Sequence, residues 1–430
     1  MTGASRRGAA LVALVAVVSS TFVVALPAAA DEVRDRQYWL ADYGISDAWS
    51  TTRGAGVTVA VIDTGVDGSH PDLVGTVVGG TDVSGVGSAD GQTPVGDGPE
   101  HGTMVASLLA GQGHGPGGGD GVIGVAPEAK ILAVSVGFGV GTRGSDEQIA
   151  DAVRWSVDNG ADVINMSLTR NTLEWPESWD DAFLYAMEND VVVVAAAGNR
   201  GSGTSVVGAP ATMPGVLTVA GVDETGRASF DASSQGITIS VSAPSEGLVG
   251  AAPDNEYRAW AGTSGAAPLV SGLVALVRSA YPDLDATNVI NRVIRTVDPV
   301  GSTIPSPIYG YGLINASKAV GDAVAPVDAN PMGDLAEWIR VNRRADAPDP
   351  STEAPDPAPA PGPPVTTASE PVDVGNPLGV VLPTVESVRA VGIPLLVIAV
   401  FAAGFGVSIG GLVRALVVRR RKTAADGRVH

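Results

Sequence analysis

An α/β fold, with a mostly parallel central sheet and helices on both of its faces, is what the order of apolar runs and amphipathic stretches predicts. Residues 57–62 make a short apolar run rich in β-branched side chains. Runs of similar length recur at 131–136, 163–166, 191–197 and 216–222, the size of strands buried on both faces. Helical patterns separate several of them. Ser145 and Gln148 have the spacing of a capping box, opening a helix that carries Val153, Trp155 and Val157 to a stop at Gly160. Residues 177–189 place Trp179, Phe183, Leu184 and Met187 at helical spacing, a stripe that reads as core. In sheets of this kind, sites gather at the carboxyl ends of the strands.

Composition narrows the chemistry. The 430 residues suggest roughly two to three folded units of about 150 residues, and 45% hydrophobic content excludes a wholly disordered chain. A net charge of −20, with no basic footprint in the body, excludes nucleic acid as the main partner. The 56 glycines and 30 prolines show no Gly-X-Y period, so collagen is excluded, and no internal repeat points to a solenoid. Cysteine is absent, which removes disulfides, thiolate nucleophiles and cysteine-ligated metals. Catalysis in this chain must use oxygen or nitrogen groups.

The two ends read as addresses. Arg6 and Arg7, an apolar run over 9–26 and Pro27-Ala28-Ala29-Ala30 match a secretory signal peptide cleaved after Ala30, with an N-terminal anchor as the alternative. Residues 390–413 carry no charge and would reach ~36 Å as a helix, enough to cross a hydrocarbon core of about 30 Å. Arg389 precedes this run, and Arg414, Arg419, Arg420, Arg421 and Lys422 follow it, which places the tail in the cytoplasm. Residues 348–377 hold ten prolines among Asp, Glu, Ser and Thr, a composition for a stalk rather than a core. Residues 331–344, with Leu335, Trp338, Ile339 and Val341, read either as a helix docked on the body or as solvated linker. The expected organisation is a signal peptide over 1–30, a catalytic domain over 31–322, an acidic Pro-rich linker over 323–388, a transmembrane helix over 389–413 and a basic tail over 414–430. The protein is expected to be single-pass in the cell membrane, with its body extracytoplasmic.

Three short segments carry the chemistry. Val61-Ile62-Asp63-Thr64-Gly65 puts an acid where a hydrophobic strand ends. Asp-Thr-Gly also occurs in aspartic proteases, but no paired second carboxylate motif is found. His101-Gly102-Thr103 lies at a loop-to-helix junction, making His101 a candidate general base, because imidazole titrates near neutral pH. Gly262-Thr263-Ser264-Gly265-Ala266-Ala267-Pro268 opens a long apolar helix. Ser264 reads either as an N-cap or as a nucleophile at a helix start whose N–H groups face a developing oxyanion.

Together with His70-Pro71-Asp72-Leu73 and Ala196-Ala197-Gly198-Asn199, these segments resemble the subtilisin-like serine proteases, or subtilases, over about residues 37–322. The chain order Asp, His, Ser is the subtilisin order. The resemblance implies a subtilisin-like fold in which Ser264 attacks the scissile carbonyl, His101 moves the proton, Asp63 orients the imidazole and Asn199 helps form the oxyanion hole. It implies polypeptide substrates that add as a strand against 140–144 and against Ser167, Leu168, Thr169 and Arg170. Subtilisins usually carry two glycines where this chain has Thr169 and Arg170, so the side-chain preference should differ. No cofactor is required by this chemistry. Residues 111–121, with Asp120, occupy a loop that binds calcium in many relatives; here they read as a glycine-rich insertion, with calcium as the alternative.

The signal peptide, the short stretch before the body in place of a large pro-domain, Tyr309-Gly310-Tyr311-Gly312, the stalk and the span resemble the mycosins. These are membrane proteases of actinobacterial type VII secretion, and they generally contain disulfide cysteines that this chain lacks. The resemblance implies a mycosin-like role in processing exported proteins, in association with type VII secretion machinery. The alternative is a structural component of a membrane complex in which proteolysis is dispensable.

Overall fold

Alternation within the first strand decides how the layers form. In β1 (Thr58–Asp63), Val59 and Val61 enter one apolar cluster, while Ala60 and Ile62 enter the other, the period-2 pattern of a strand covered on both sides. The computed structural model describes residues 32–343 except Thr142. After β1 come β2 (Val77–Asp82), the antiparallel pair β3 (Gln112–His114) and β4 (Asp120–Ile123), then β5 (Lys130–Ser135), β6 (Val163–Met166), β7 (Val192–Ala196), β8 (Leu217–Val222) and β9 (Ile239–Pro244). A hairpin of β10 (Leu248–Ala252) and β11 (Glu256–Trp260) follows. The main sheet has seven strands in the order β2-β5-β1-β6-β7-β8-β9, each pair parallel.

Helices cover both faces. Short helices α1 (Glu32–Asp35), α2 (Trp39–Asp42) and α3 (Ile45–Ala48) precede β1; α4 (His101–Ala110), α5 (Ser145–Asp158) and α6 (Glu177–Glu188) lie between strands. The chain closes with α7 (Thr263–Ala280), α8 (Ala286–Arg295), α9 (Ala316–Gly321) and α10 (Leu335–Asn342). α4, α7, α8 and α9 build one apolar layer, α5 and α6 the other. Strand order reverses at β1: the chain leaves it for the β2 edge, returns beside it as β5, and continues on its other side as β6. Ligand crevices open at such a switch point, and Asp63 is the last residue of β1.

Several expectations change in detail. Gly144, not Ser145, occupies the cap position of α5, and no side chain caps that end. Gln148 instead turns its amide to the preceding loop, accepting from Gly137 N at 2.8 Å and donating to the Arg143 carbonyl at 2.9 Å. The packed body continues past the expected boundary at 322. Leu335 is 1% exposed, Trp338 packs on Trp175 with ring centroids 4.3 Å apart, and Arg343 pairs with Asp180 at 2.8 Å. Residues 331–343 therefore dock rather than extend the linker. Among the described residues no helix is long and apolar enough to cross a membrane. The expected signal peptide at 1–30, the rest of the linker, the span at 389–413 and the tail at 414–430 lie outside the described residues.

Candidate active site

Asp63 and His101 meet because two motifs interlock. A Cβ at Gly102 would fall 2.1 Å from the Gly65 carbonyl oxygen, so only glycine lets the first turn of α4 close on the end of β1. Thr64 Oγ1 accepts the Gly102 N–H at 3.0 Å, and Thr103 Oγ1 accepts the Asp67 N–H at 2.9 Å. Thus held, the buried Asp63 accepts from the Thr64 N–H at 2.7 Å and from His101 Nδ1 at 2.8 Å, both at Oδ1. A carboxylate only accepts, so the proton sits on Nδ1 and Nε2 keeps its lone pair. The His101 ring is crowded by protein yet keeps 32% of its side-chain surface open to the groove. Burial works to lower its pKa, but the charge and hydrogen bond of Asp63 override that and, with Glu100 adding in the same sense, raise it above the ordinary value.

Ser264 comes from the opposite layer. It is the second residue of α7, and Gly262 holds the cap position, so the N-cap reading of the serine does not apply. Pro268, inside the same helix, has no N–H to give the Ser264 carbonyl four residues back. That carbonyl accepts instead from Ser167 Oγ at 2.8 Å, and the Ser264 hydroxyl donates to the Ser167 carbonyl at 3.1 Å. Ser167 is itself anchored by Asn165 Nδ2 at 3.1 Å, whose Oδ1 accepts from Ser271 at 2.8 Å. A buried polar chain thus fixes the start of α7 to the end of β6. In this conformation Ser264 Oγ is turned toward Ser167 and makes no hydrogen bond with His101, the loose arrangement common in sites without substrate.

Asn199 is positioned by Thr263. Thr263 Oγ1 accepts the Gly198 N–H at 3.0 Å and donates to Asn199 Oδ1 at 3.0 Å, while the Thr263 N–H donates to the same oxygen at 2.8 Å. With Oδ1 doubly engaged, Nδ2 is the amide end left without a partner among the described residues. The Ser264 N–H, one of the orphan donors at the start of α7, is likewise unengaged.

A groove of about 490 Å3 runs past Asp63, His101 and Ser167, the residue that holds Ser264. Phe138, Leu168 and Trp260 supply apolar walls, and Asp97 and Glu100 supply carboxylates. Ser167, Leu168 and Thr169 line it, but Arg170 does not. The Arg170 guanidinium turns away to Asp146 on α5 and lies over the Trp179 ring at 5.5 Å. Thr169 faces the other way, into the gap between two backbone segments: Cβ atoms built at Gly198 and Gly208 would lie 3.1 Å from its Cγ2 and 2.8 Å from its Oγ1.

Two contributors went unnoticed in the sequence. Thr263 orients Asn199, and its only local signal is that it directly precedes Ser264. Trp260 meets the His101 ring edge-on, with centroids 5.5 Å apart, and lies against Gly265. It reaches the groove on the β10–β11 hairpin, which has no Asn-Gly or Asp-Gly turn to announce it.

Comparison with known proteins agrees with this architecture. The subtilase family model matches residues 54–312. Subtilisin DY from Bacillus licheniformis is 39% identical over 272 residues, covering 62% of this chain and 92% of its own. Among solved structures, the MycP3 protease from the type VII (ESX-3) secretion system is 32% identical with a TM-score of 0.56, over 66% of this chain and 88% of its own. MycP1 from the ESX-1 type VII secretion system is 29% identical with a TM-score of 0.59, over 69% of this chain and 88% of its own. The chain belongs to the subtilase family and is a subtilisin-type serine peptidase.

Proposed function

We propose that this protein is a membrane-tethered, extracytoplasmic serine endopeptidase that processes exported polypeptides in a mycosin-like role. Asp63, His101 and Ser264 form its catalytic triad, and Asn199 lies in its oxyanion hole. The observation that carries the proposal is the 2.8 Å bond from His101 Nδ1 to the buried Asp63 carboxylate, which fixes the imidazole with Nε2 free to accept a proton. Rotation of Ser264 about χ1 exchanges its bond to the Ser167 carbonyl for one to His101 Nε2. The hydroxyl oxygen then attacks the substrate carbonyl as His101 takes its proton, and Asp63 stabilises the resulting imidazolium. Negative charge gathers on the carbonyl oxygen, where Asn199 Nδ2 and the Ser264 N–H supply the two donors. His101 next protonates the leaving amine and activates water to release the acyl group.

The likeness to MycP1 and MycP3 supports the secretion role, and the uncharged run at 390–413 with its basic flank supports tethering. The test returns the full chain, or the same chain carrying Ser264→Ala, to a strain deleted for the gene. The proposal expects peptide hydrolysis and processing of exported proteins to be restored by the first and not by the second. Processing fully restored by the Ser264→Ala chain would overturn the catalytic role in favour of a structural one.

A further inference from the structure

The loop 111–121, expected either as an insertion or as a calcium site, already holds a cation from the chain itself. Arg34, at α1, reaches across to it. Its Nε donates to the Gly121 carbonyl and to Gln37 Oε1, each at 3.1 Å, and its Nη2 donates to the carbonyls of Gly118 at 3.0 Å and Asp120 at 3.3 Å. Four oxygens therefore converge on one guanidinium. The loop is bent to present them: Gly113, Gly115, Gly117, Gly118 and Gly121 all have positive φ, and a Cβ at Gly113 would meet Arg34 Nη2 at 2.6 Å.

Gln37 closes the cage from the other side. Buried at 4% exposure, it accepts the Ile123 N–H at 3.0 Å and donates to the Ile123 carbonyl at 2.8 Å. Its amide thus fixes β4 while its oxygen also serves Arg34. Beneath the loop, the fully buried Asp72 accepts from His114 Nδ1 at 2.7 Å, Val122 N at 2.8 Å and the Tyr257 hydroxyl at 3.0 Å. Tyr257 belongs to β11, the strand that ends at Trp260 against His101.

Backbone carbonyls and an amide oxygen are the donor types a calcium ion would take, but calcium needs six to eight of them at about 2.3–2.6 Å and favours carboxylates among them. Here a planar, permanently charged fork spans the oxygens at ordinary hydrogen-bond length, so each of the four already serves a cation from the chain. Among the described residues no cluster of His, Asp and Glu side chains offers a metal site elsewhere. We infer that Arg34 is the resident cation of this loop. It takes the place of a divalent ion, makes the stability of the body independent of calcium, and turns residues 32–37 into a clamp on the element that supports the β10–β11 wall of the groove.

The test uses the full chain in detergent, with Ser264→Ala as the background so that autolysis does not set the readout. Thermal midpoints are measured in excess EDTA and in millimolar calcium chloride, and hydrogen exchange is followed over residues 111–123. The inference expects the same midpoint in both buffers. In addition, Arg34→Ala should lower the midpoint and speed exchange in the loop by at least about tenfold, the change for each ~1.4 kcal/mol lost from local opening. Arg34→Lys, whose ammonium cannot span the four oxygens, should fall with Arg34→Ala rather than with the parent. A midpoint that rises with calcium, or an Arg34→Ala chain whose loop exchanges at the parental rate, would overturn the inference. The chelator comparison needs no substitution at Arg34 and stands even if those variants fail to fold.

Discussion

Replacing Asp63 with asparagine removes the charge that orients and stabilises the catalytic imidazole while keeping nearly the same volume. At the 2.8 Å separation of the bonded atoms and an effective dielectric near 20, the attraction between carboxylate and imidazolium is ~6 kcal/mol. Spreading both charges over their groups lengthens the mean separation to about 4 Å and lowers the figure to ~4 kcal/mol. This stabilisation acts only once His101 has taken the Ser264 proton, so its loss raises the barrier by most of that amount, a fall in kcat of about 10²- to 10³-fold. The same substitution favours the tautomer with its proton on Nε2, which cannot accept from serine.

A pH signature accompanies the rate loss. In the parent, kcat/KM should climb with pH through the raised His101 pKa, above the ordinary 6.5, because only the neutral imidazole is a base. In Asp63→Asn, burial is opposed by Glu100 alone, so the acid limb moves to lower pH. Stability has the opposite sense. A raised folded pKa contributes stability that is complete below the unfolded value and lost as pH rises through the folded one. The thermal deficit of Asp63→Asn should therefore be larger near about pH 5 than near about pH 9. Assay with a fluorogenic peptide across pH reads both kinetic effects. A loss under tenfold, or an acid limb that stays in place, would refute the assignment of Asp63.

Three further outcomes follow from the geometry. Asn199→Ala should cut kcat by about 10²- to 10³-fold with little change in KM, a magnitude established for the matching asparagine of a subtilisin; equal losses in binding and turnover would argue against an oxyanion donor. Thr169→Gly empties the gap between Gly198 and Gly208, so kcat/KM should rise for peptides with a large side chain before the scissile bond relative to those with alanine there. An unchanged ratio would remove Thr169 as a determinant. Leu335→Ala should cost about 2–5 kcal/mol in denaturant unfolding if α10 belongs to the packed body, whereas a solvated linker would leave stability unaltered.

Legibility in the sequence followed the physics of each element. β1, β5, β6, β7 and β8 could be read because strands buried on both faces make unbroken apolar runs. β2 escaped notice as a half-exposed edge strand with two glycines, and β9 because Ser240 and Ser242 interrupt its apolar residues although both are fully buried. Ser240 Oγ accepts the Thr218 N–H there, a cross-strand bond that local pattern cannot anticipate. The same limit applies at the groove. Asp63, His101, Asn199 and Ser264 lie in distinctive short motifs, whereas the parts of Thr263 and Trp260 depend on partners more than sixty and more than one hundred and fifty residues away. Arg170 shows the converse. The substitution is visible in the sequence, but only packing reveals that its side chain is drawn to Asp146 and leaves Thr169 to shape the groove.

Reaction of the folded chain with a fluorophosphonate, followed by mass mapping of the labelled peptide, tests most directly whether Ser264 is an activated nucleophile. The account predicts one modified residue, Ser264, with labelling abolished by Ser264→Ala and suppressed on acidification below the His101 pKa. Modification of a different serine, or a folded protein that takes up no label at neutral pH, would contradict it.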